Sequence, residues 1–240
     1  VETGRNFCTK LWNVCRFRQM SGELGDNSTL TSILERIDPS HLDTDDHAIL
    51  TQLIRTQDRI FNAYGEFQFN AVAQSLYTFI WNDLCDWYVE VSKTKLQNPA
   101  QKENCLAIQD LCLRQSLIML HPFTPFITEE LWYHLHFNPN WESEPTREGS
   151  IQYIDQGDGE SLNQALEGKG IKLDGKALDE IAKIRETVTN VRALKAQFNL
   201  ATNNKVALQY ESDEASQAIL ETHKDKLLRI IGACDLIPRD

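Results

Sequence analysis

Between about residues 70 and 96 the chain places Val72, Leu76, Phe79, Ile80, Leu84, Trp87 and Val91 at spacings dominated by three and four. At about 100° per residue that spacing makes a wide apolar stripe, and a helix carrying such a stripe is stable only when other helices cover it. Neighbouring segments supply the covers. One helix is expected over about residues 4–20. Another should follow Leu42-Asp43-Thr44-Asp45-Asp46, whose carboxylates suit a helix N-terminus, and run to about Tyr64. Asn70 is the expected cap of the apolar helix itself. Pro99 opens a further helix that ends near His121, and Thr124 with Pro125 reads as a cap and first helical position. The first 137 residues therefore predict a mostly α fold, an antiparallel helix bundle.

The remainder has a different character. Residues 138–150 hold Pro, Asn, Gly and charges and predict a loop, Ser150 to Ile154 a short strand, and Asp155 to Asp174 an acidic, Gly-rich connection. A helix over about 176–198 is followed by a strand at 205–210, a short helix, and a helix through Leu227, Leu228 and Ile231. A strand at 233–237 completes a small C-terminal α/β appendage. The expected division is 1–149 for the bundle and 150–240 for the connection plus appendage.

Composition narrows the functional classes. Apolar residues make up 41% of the chain, enough for a packed core, and no apolar run approaches the roughly 20 residues that cross a bilayer, so no membrane partner is expected. None of the six cysteines forms a Cys-x-x-Cys pair; Cys8/Cys15 and Cys105/Cys112 lie seven apart, on one helical face, and read as reduced core thiols of a cytoplasmic protein. His134 and His136 are two apart and point to different faces, so they do not share a metal. A net charge of −11 argues against a general nucleic-acid binder. Two segments depart from that balance. Residues 1–20 hold Arg5, Lys10, Arg16 and Arg18 against Glu2, and residues 183–205 hold Lys183, Arg185, Arg192, Lys195 and Lys205 against Glu186.

The first helix is the informative one. On a helical wheel Phe7, Leu11 and Val14 fall on one side with Cys8 and Cys15 beside them. Asn6, Lys10, Asn13 and Phe17, spaced four, three and four, form a line on the other, flanked by Arg5, Thr9 and Arg16. An aromatic ring among amides and cations suits single-stranded RNA: bases stack on the ring, amides read base edges and cations neutralise phosphate. The same ring could equally pack against a neighbouring helix or loop, and geometry alone leaves both readings open.

No catalytic constellation emerges. The chain has no Gly-x-x-x-x-Gly-Lys loop, no Gly-x-Ser-x-Gly elbow and no His-Glu-x-x-His. Asp43/Asp46 and Asp83/Asp86 are pairs three apart, read as caps or solvated faces. No catalytic, cofactor-binding or metal-binding residue is assigned.

Three segments carry a resemblance. They are Gly4-Arg5-Asn6-Phe7-Cys8-Thr9-Lys10-Leu11-Trp12-Asn13 continuing to Arg16-Phe17; Phe79-Ile80-Trp81-Asn82-Asp83-Leu84-Cys85-Asp86-Trp87-Tyr88 ending Glu90-Val91-Ser92-Lys93; and Leu120-His121-Pro122-Phe123-Thr124-Pro125-Phe126-Ile127-Thr128-Glu129-Glu130-Leu131-Trp132. Together they resemble the anticodon-binding region of class I synthetases for branched aliphatic amino acids, the second most closely that of valine–tRNA ligases. A weaker match runs from Ile184-Arg185 through Asn190-Val191-Arg192 to Asn199. The resemblance implies a fragment of an ATP-dependent ligase of protein biosynthesis, without the catalytic domain that uses ATP or the editing domain. It implies two partners, the anticodon stem–loop of valine tRNA and the catalytic domain of the same polypeptide, in a cytoplasmic monomer. It places Lys10, Asn13 and Phe17 against the anticodon loop, with Arg5, Asn6 and Arg16 beside them and Arg192 on the tRNA backbone or in an ion pair. Trp81, Trp87, Tyr88 and Trp132 are expected in the bundle core. Two alternatives remain: the equivalent domain of an isoleucine or leucine enzyme, and a helical protein-interaction module without RNA binding.

Overall fold

The computed structural model describes residues 2–138, 149–154, 159–201 and 204–239, in two units, Val1–Asp174 and Gly175–Asp240. The first unit contains α1 (Glu2–Ser21), α2 (Leu30–Glu35), α3 (Thr44–Gly65), α4 (Phe69–Tyr77), a π-helical segment (Thr78–Tyr88), α5 (Val89–Lys95), α6 (Pro99–Leu120), α7 (Pro125–His134) and α8 (Gly159–Gly168). It is the expected helix bundle. α6 organises it: every residue from Asn104 to Leu120 is buried, and α1, α2, α3, α4, α5 and α7 all contact it. A helix covered on all sides needs no amphipathic stripe, which is why polar Gln109, Asp110, Arg114 and Gln115 lie inside and must find partners there.

Local chemistry sets several helix boundaries. Asp43 caps α3 in a reciprocal box with Asp46, each backbone N–H donating to the other's carboxylate at 3.1 Å. Lys95, buried at the end of α5, donates to Asp43 at 2.6 Å and to Asp46 at 2.7 Å. The Tyr88 hydroxyl donates to Asp46 at 2.6 Å and the Trp87 indole to Asp45 at 3.1 Å. Burial pushes the Asp46 carboxyl up while Lys95 pulls it down. The cluster ties the start of α3 to the far end of the long helix.

Four local expectations are corrected. Asn70 is not the cap of its helix, which begins at Phe69 after Gln68 without a side-chain cap. Thr124 precedes α7 with Pro125 in the first turn, yet its hydroxyl caps nothing; Thr128 instead donates to the Thr124 carbonyl at 3.0 Å. Residues Ile151–Tyr153 form a 3-10 turn rather than a strand. The segment read as an acidic connection contains α8, seated on α3 through buried Leu162 and Leu166. Gly159 permits that seat, since a Cβ there would stand 2.7 Å from the Ile54 carbonyl oxygen. The loop expected over 138–150 lies mostly outside the described residues. The division set from sequence at 149/150 and the division into compact units after Asp174 do not coincide, because α8 belongs with the bundle.

The second unit is the small α/β appendage: α9 (Gly175–Gln197), β1 (Ala207–Tyr210), α10 (Glu214–Thr222), α11 (Lys224–Ile231) and β2 (Asp235–Pro238). β1 and β2 pair in parallel, Ala207 opposite Asp235 through Tyr210 opposite Pro238, with α10 and α11 forming the crossover a parallel pair requires. Gly232 closes α11 in the left-handed region at φ 63°. Lys195 of α9 is buried and donates to the carbonyls of Asn204, Ile231 and Gly232 at 2.8, 2.7 and 3.0 Å.

Candidate nucleic-acid interface

α1 is continuous from Glu2 to Ser21, so its polar line exists as a physical stripe. Leu11, Val14 and Cys15 are buried beneath it. Arg5, Asn6, Asn13 and Arg16 are exposed, while Phe17 and Lys10 are half-buried. Phe17 is therefore neither sealed in the core nor fully open, between the two readings left open by its sequence position.

The end of α1 that carries Phe17 is fixed from below. Arg18 has no exposed surface and donates to the equally buried Asp110 of α6 at 2.7 Å. It also donates to the carbonyls of Gly22 and Glu23 at 3.2 and 3.3 Å. Arg36, behind α2, meets the same Asp110 oxygen at 2.8 Å and Asn27 at 2.5 Å. Gln19 reaches the His134 carbonyl at 2.9 Å, and Trp12 meets the His134 ring edge-on, which seats α1 beside α7.

The middle of α1 is held by the end of α4 and the π segment. Phe7 stacks on Tyr77 with ring centroids 5.6 Å apart, and Tyr77 stacks on Trp81 at 5.4 Å. The Lys10 ammonium lies 3.8 Å from the Trp81 ring centroid and forms an ion pair with Asp86. Beneath it Cys85 is mostly buried, which pushes its thiol up to about 12 against the opposing pull of Lys10. Cys15 and Cys112 are likewise pushed up by burial.

These contacts revise the sequence reading at three points. Trp81 is half-exposed in an aromatic stack with Tyr77, whereas Trp87, Tyr88 and Trp132 are core residues as expected. Arg18 adds nothing to a basic surface, because it is spent inside the bundle. It lies two turns from Leu11 and one from Val14, a spacing that already puts it on the apolar side. Asp86 of the π segment and Tyr77 at the end of α4 were not assigned to the site.

Among the described residues, no carboxylate pairs with Arg5 or Arg16 of α1, nor with Arg192 of α9, which is exposed on the second unit. Lys183 pairs with Glu186 at 3.4 Å and Lys195 is enclosed, so the second basic segment also presents fewer cations than its sequence suggests. What remains on α1 is a ring flanked by two amides and two unpaired guanidiniums. That set can stack a base, read base edges and meet phosphate oxygens.

Residues 46–212 match a family model described as the anticodon-binding domain of tRNA ligase. Among curated proteins, a valine–tRNA ligase of Listeria innocua is 29% identical over 226 residues, covering 92% of this chain and 23% of that protein. One from Bacillus thuringiensis is 30% identical over 242 residues, covering 98% and 24%. One from Prochlorococcus marinus is 37% identical over 141 residues, covering 58% and 15%. The chain thus spans at most about a quarter of the length of these relatives. The family match begins within α3, but the alignment covering 98% of the chain takes in α1 as well.

Proposed function

Because the chain belongs to the family of anticodon-binding domains of tRNA ligases, we propose that α1 docks the anticodon loop of valine tRNA, with Phe17 as its stacking platform. The partly exposed Phe17, in line with Asn6, Lys10 and Asn13 and flanked by Arg16, is the observation that carries this reading. The amides of Asn6 and Asn13 would read base edges, and Arg5 and Arg16 would meet phosphates. Arg192 would touch the tRNA backbone from the second unit. In a cytoplasmic, monomeric valine–tRNA ligase the loop held here would orient the acceptor end toward the catalytic domain of the same polypeptide. Activation of valine by ATP would take place in that domain, so the reading assigns no catalytic step to this chain.

Phe17→Ala is the test. Base–aromatic stacking contributes about 1–3 kcal/mol per base, so affinity for the valine anticodon stem–loop, measured by fluorescence anisotropy at fixed salt, should fall roughly five- to 150-fold. Thermal unfolding should move little. Unchanged affinity with a large loss of stability would assign Phe17 to packing and remove the reading. Isoleucine and leucine stem–loops measured in parallel should bind more weakly, and equal binding of all three would remove the valine assignment.

A further inference from the structure

Thr78–Tyr88 continues α4 into α5 without a break, yet it is wound as a π-helix. The Val89 N–H closes it on the Leu84 carbonyl, five residues back. Eleven residues of π winding are unusual, since such geometry normally appears as single turns and is frequent at functional sites. Its consequence here is specific. In an α-helix residues five apart diverge by about 140°, so Trp81 and Asp86 would face different neighbours. With i→i+5 hydrogen bonding, residues five apart share a face. Trp81 and Asp86 do so, and both close on Lys10 of α1.

Taking the anticodon reading above as its premise, we propose that Trp81 and Asp86 are positioning residues of the RNA face. By this inference the π winding exists at this point to place them together, and they fix the Lys10 ammonium as a directed hydrogen-bond donor. One N–H is given to the Asp86 carboxylate and the cation rests on the Trp81 ring, which stacks on Tyr77 as Tyr77 does on Phe7. The Lys10 side chain keeps 25% of its surface, so it is not sealed from solvent, and it stands on the line between Asn6 and Asn13. A lysine held this way differs from a free one. A free ammonium follows phosphates as a mobile counterion; a held ammonium presents an N–H at one place, which suits a base acceptor. Stability does not account for the arrangement, because the Asp86 side chain is 54% exposed and exposed ion pairs contribute little to folding.

Two measurements on the full 240-residue chain separate this inference from the reading it rests on. The first needs no RNA. In lysine-labelled protein the ε-methylene protons of Lys10, identified by their loss in Lys10→Met, should resonate well upfield under the Trp81 ring current and return to the exposed-lysine position in Trp81→Leu. A Lys10 signal already at the exposed position in the wild type overturns the clamp. The second measurement is the salt dependence of binding to the valine anticodon stem–loop. A phosphate contact to single-stranded RNA adds about 0.7 to the slope of log affinity against log salt. Arg16→Met should remove that amount. Lys10→Met should lower affinity while leaving the slope unchanged. Asp86→Ala should free Lys10, steepen the slope by up to about 0.7 and reduce discrimination against a base-substituted loop, with Asp86→Glu restoring both. Loss of slope in Lys10→Met equal to that in Arg16→Met overturns the directed-donor role, as does an Asp86→Ala variant that binds like the wild type. A wild-type chain that binds no anticodon loop overturns the functional reading and the RNA half of this inference together; the Lys10 resonance then decides the clamp alone.

Discussion

Replacing Asp110 by Asn tests how α1, the proposed RNA face, is held. The substitution keeps the shape of the side chain and removes one charge from a site with no exposed surface. Two guanidiniums lose their counterion, but unequally. The Arg36 side chain retains 18% exposure and a second contact to Glu103 at 3.3 Å, so it can turn toward water. Arg18 is fully enclosed and, among the described residues, keeps two carbonyl acceptors beyond 3 Å. Removing one partner of a buried ion pair costs about 3–5 kcal/mol, and the Asn carbonyl still accepts one hydrogen bond, which favours the lower end. About 3 kcal/mol is a large fraction of a typical domain's stability. For a unit of this size it corresponds to a fall of roughly 6–12 °C in melting temperature. All five tryptophans precede residue 174, so tryptophan fluorescence during urea unfolding reports on the bundle alone. Arg18 directly follows Phe17, and loosening it should also lower affinity for the anticodon stem–loop. The double variant Arg18→Met with Asp110→Leu removes both charges and should be more stable than Asp110→Asn. A loss below about 1 kcal/mol for Asp110→Asn, or a double variant less stable than the single one, would refute the claim that this buried pair anchors α1.

Two further outcomes follow from buried groups. Lys195→Met should destabilise the second unit by about 2–4 kcal/mol, because three carbonyls lose a charged donor; hydrogen exchange of α11 amides should accelerate while that of α6 is unchanged, and unaltered α11 protection would count against the assignment. The mostly buried Cys85 thiol, pushed up to about 12 from 9.0, contributes stability that is fully present below pH 9 and is lost as pH rises from about 9 toward 12, since the unfolded thiol ionises first. Urea midpoints should therefore fall between pH 8.5 and about 10.5, less steeply in Cys85→Ser, and equal slopes would show that this thiol does not titrate as its burial requires.

Much of the bundle was legible because its signals are local. The Asp43–Asp46 box is written in four consecutive residues, and the apolar spacing through Val91 survives even the change to π winding, since Val72, Leu76, Phe79, Ile80, Leu84 and Trp87 are all buried. α8 was missed because its segment is polar and Gly-flanked; its helix depends on Leu162 and Leu166 finding α3, a tertiary event. The winding of Thr78–Tyr88 was missed for a deeper reason. Choosing i→i+5 over i→i+4 hydrogen bonds leaves no mark on composition or apolar spacing, and the partners that Trp81 and Asp86 meet lie on another helix.

The same distinction governs the charges. A wheel gave the angle of Lys10 correctly but could not show that Asp86 and Trp81 occupy its neighbourhood, and a charge count credited Arg18 to a surface it never reaches. Of the four cations in residues 1–20, only Arg5 and Arg16 stand exposed without a carboxylate among the described residues. A chain with a net charge of −11 and so few free guanidiniums on the proposed RNA face has little long-range attraction for a polyanion. On the proposed reading, affinity there comes from short-range contacts, a base on the Phe17 ring and base edges against Asn6, Asn13 and a held Lys10. Such contacts depend on position to within a fraction of an ångström, which gives a physical reason for α1 to be fixed at two points, by Arg18 on Asp110 and by Lys10 in the π segment.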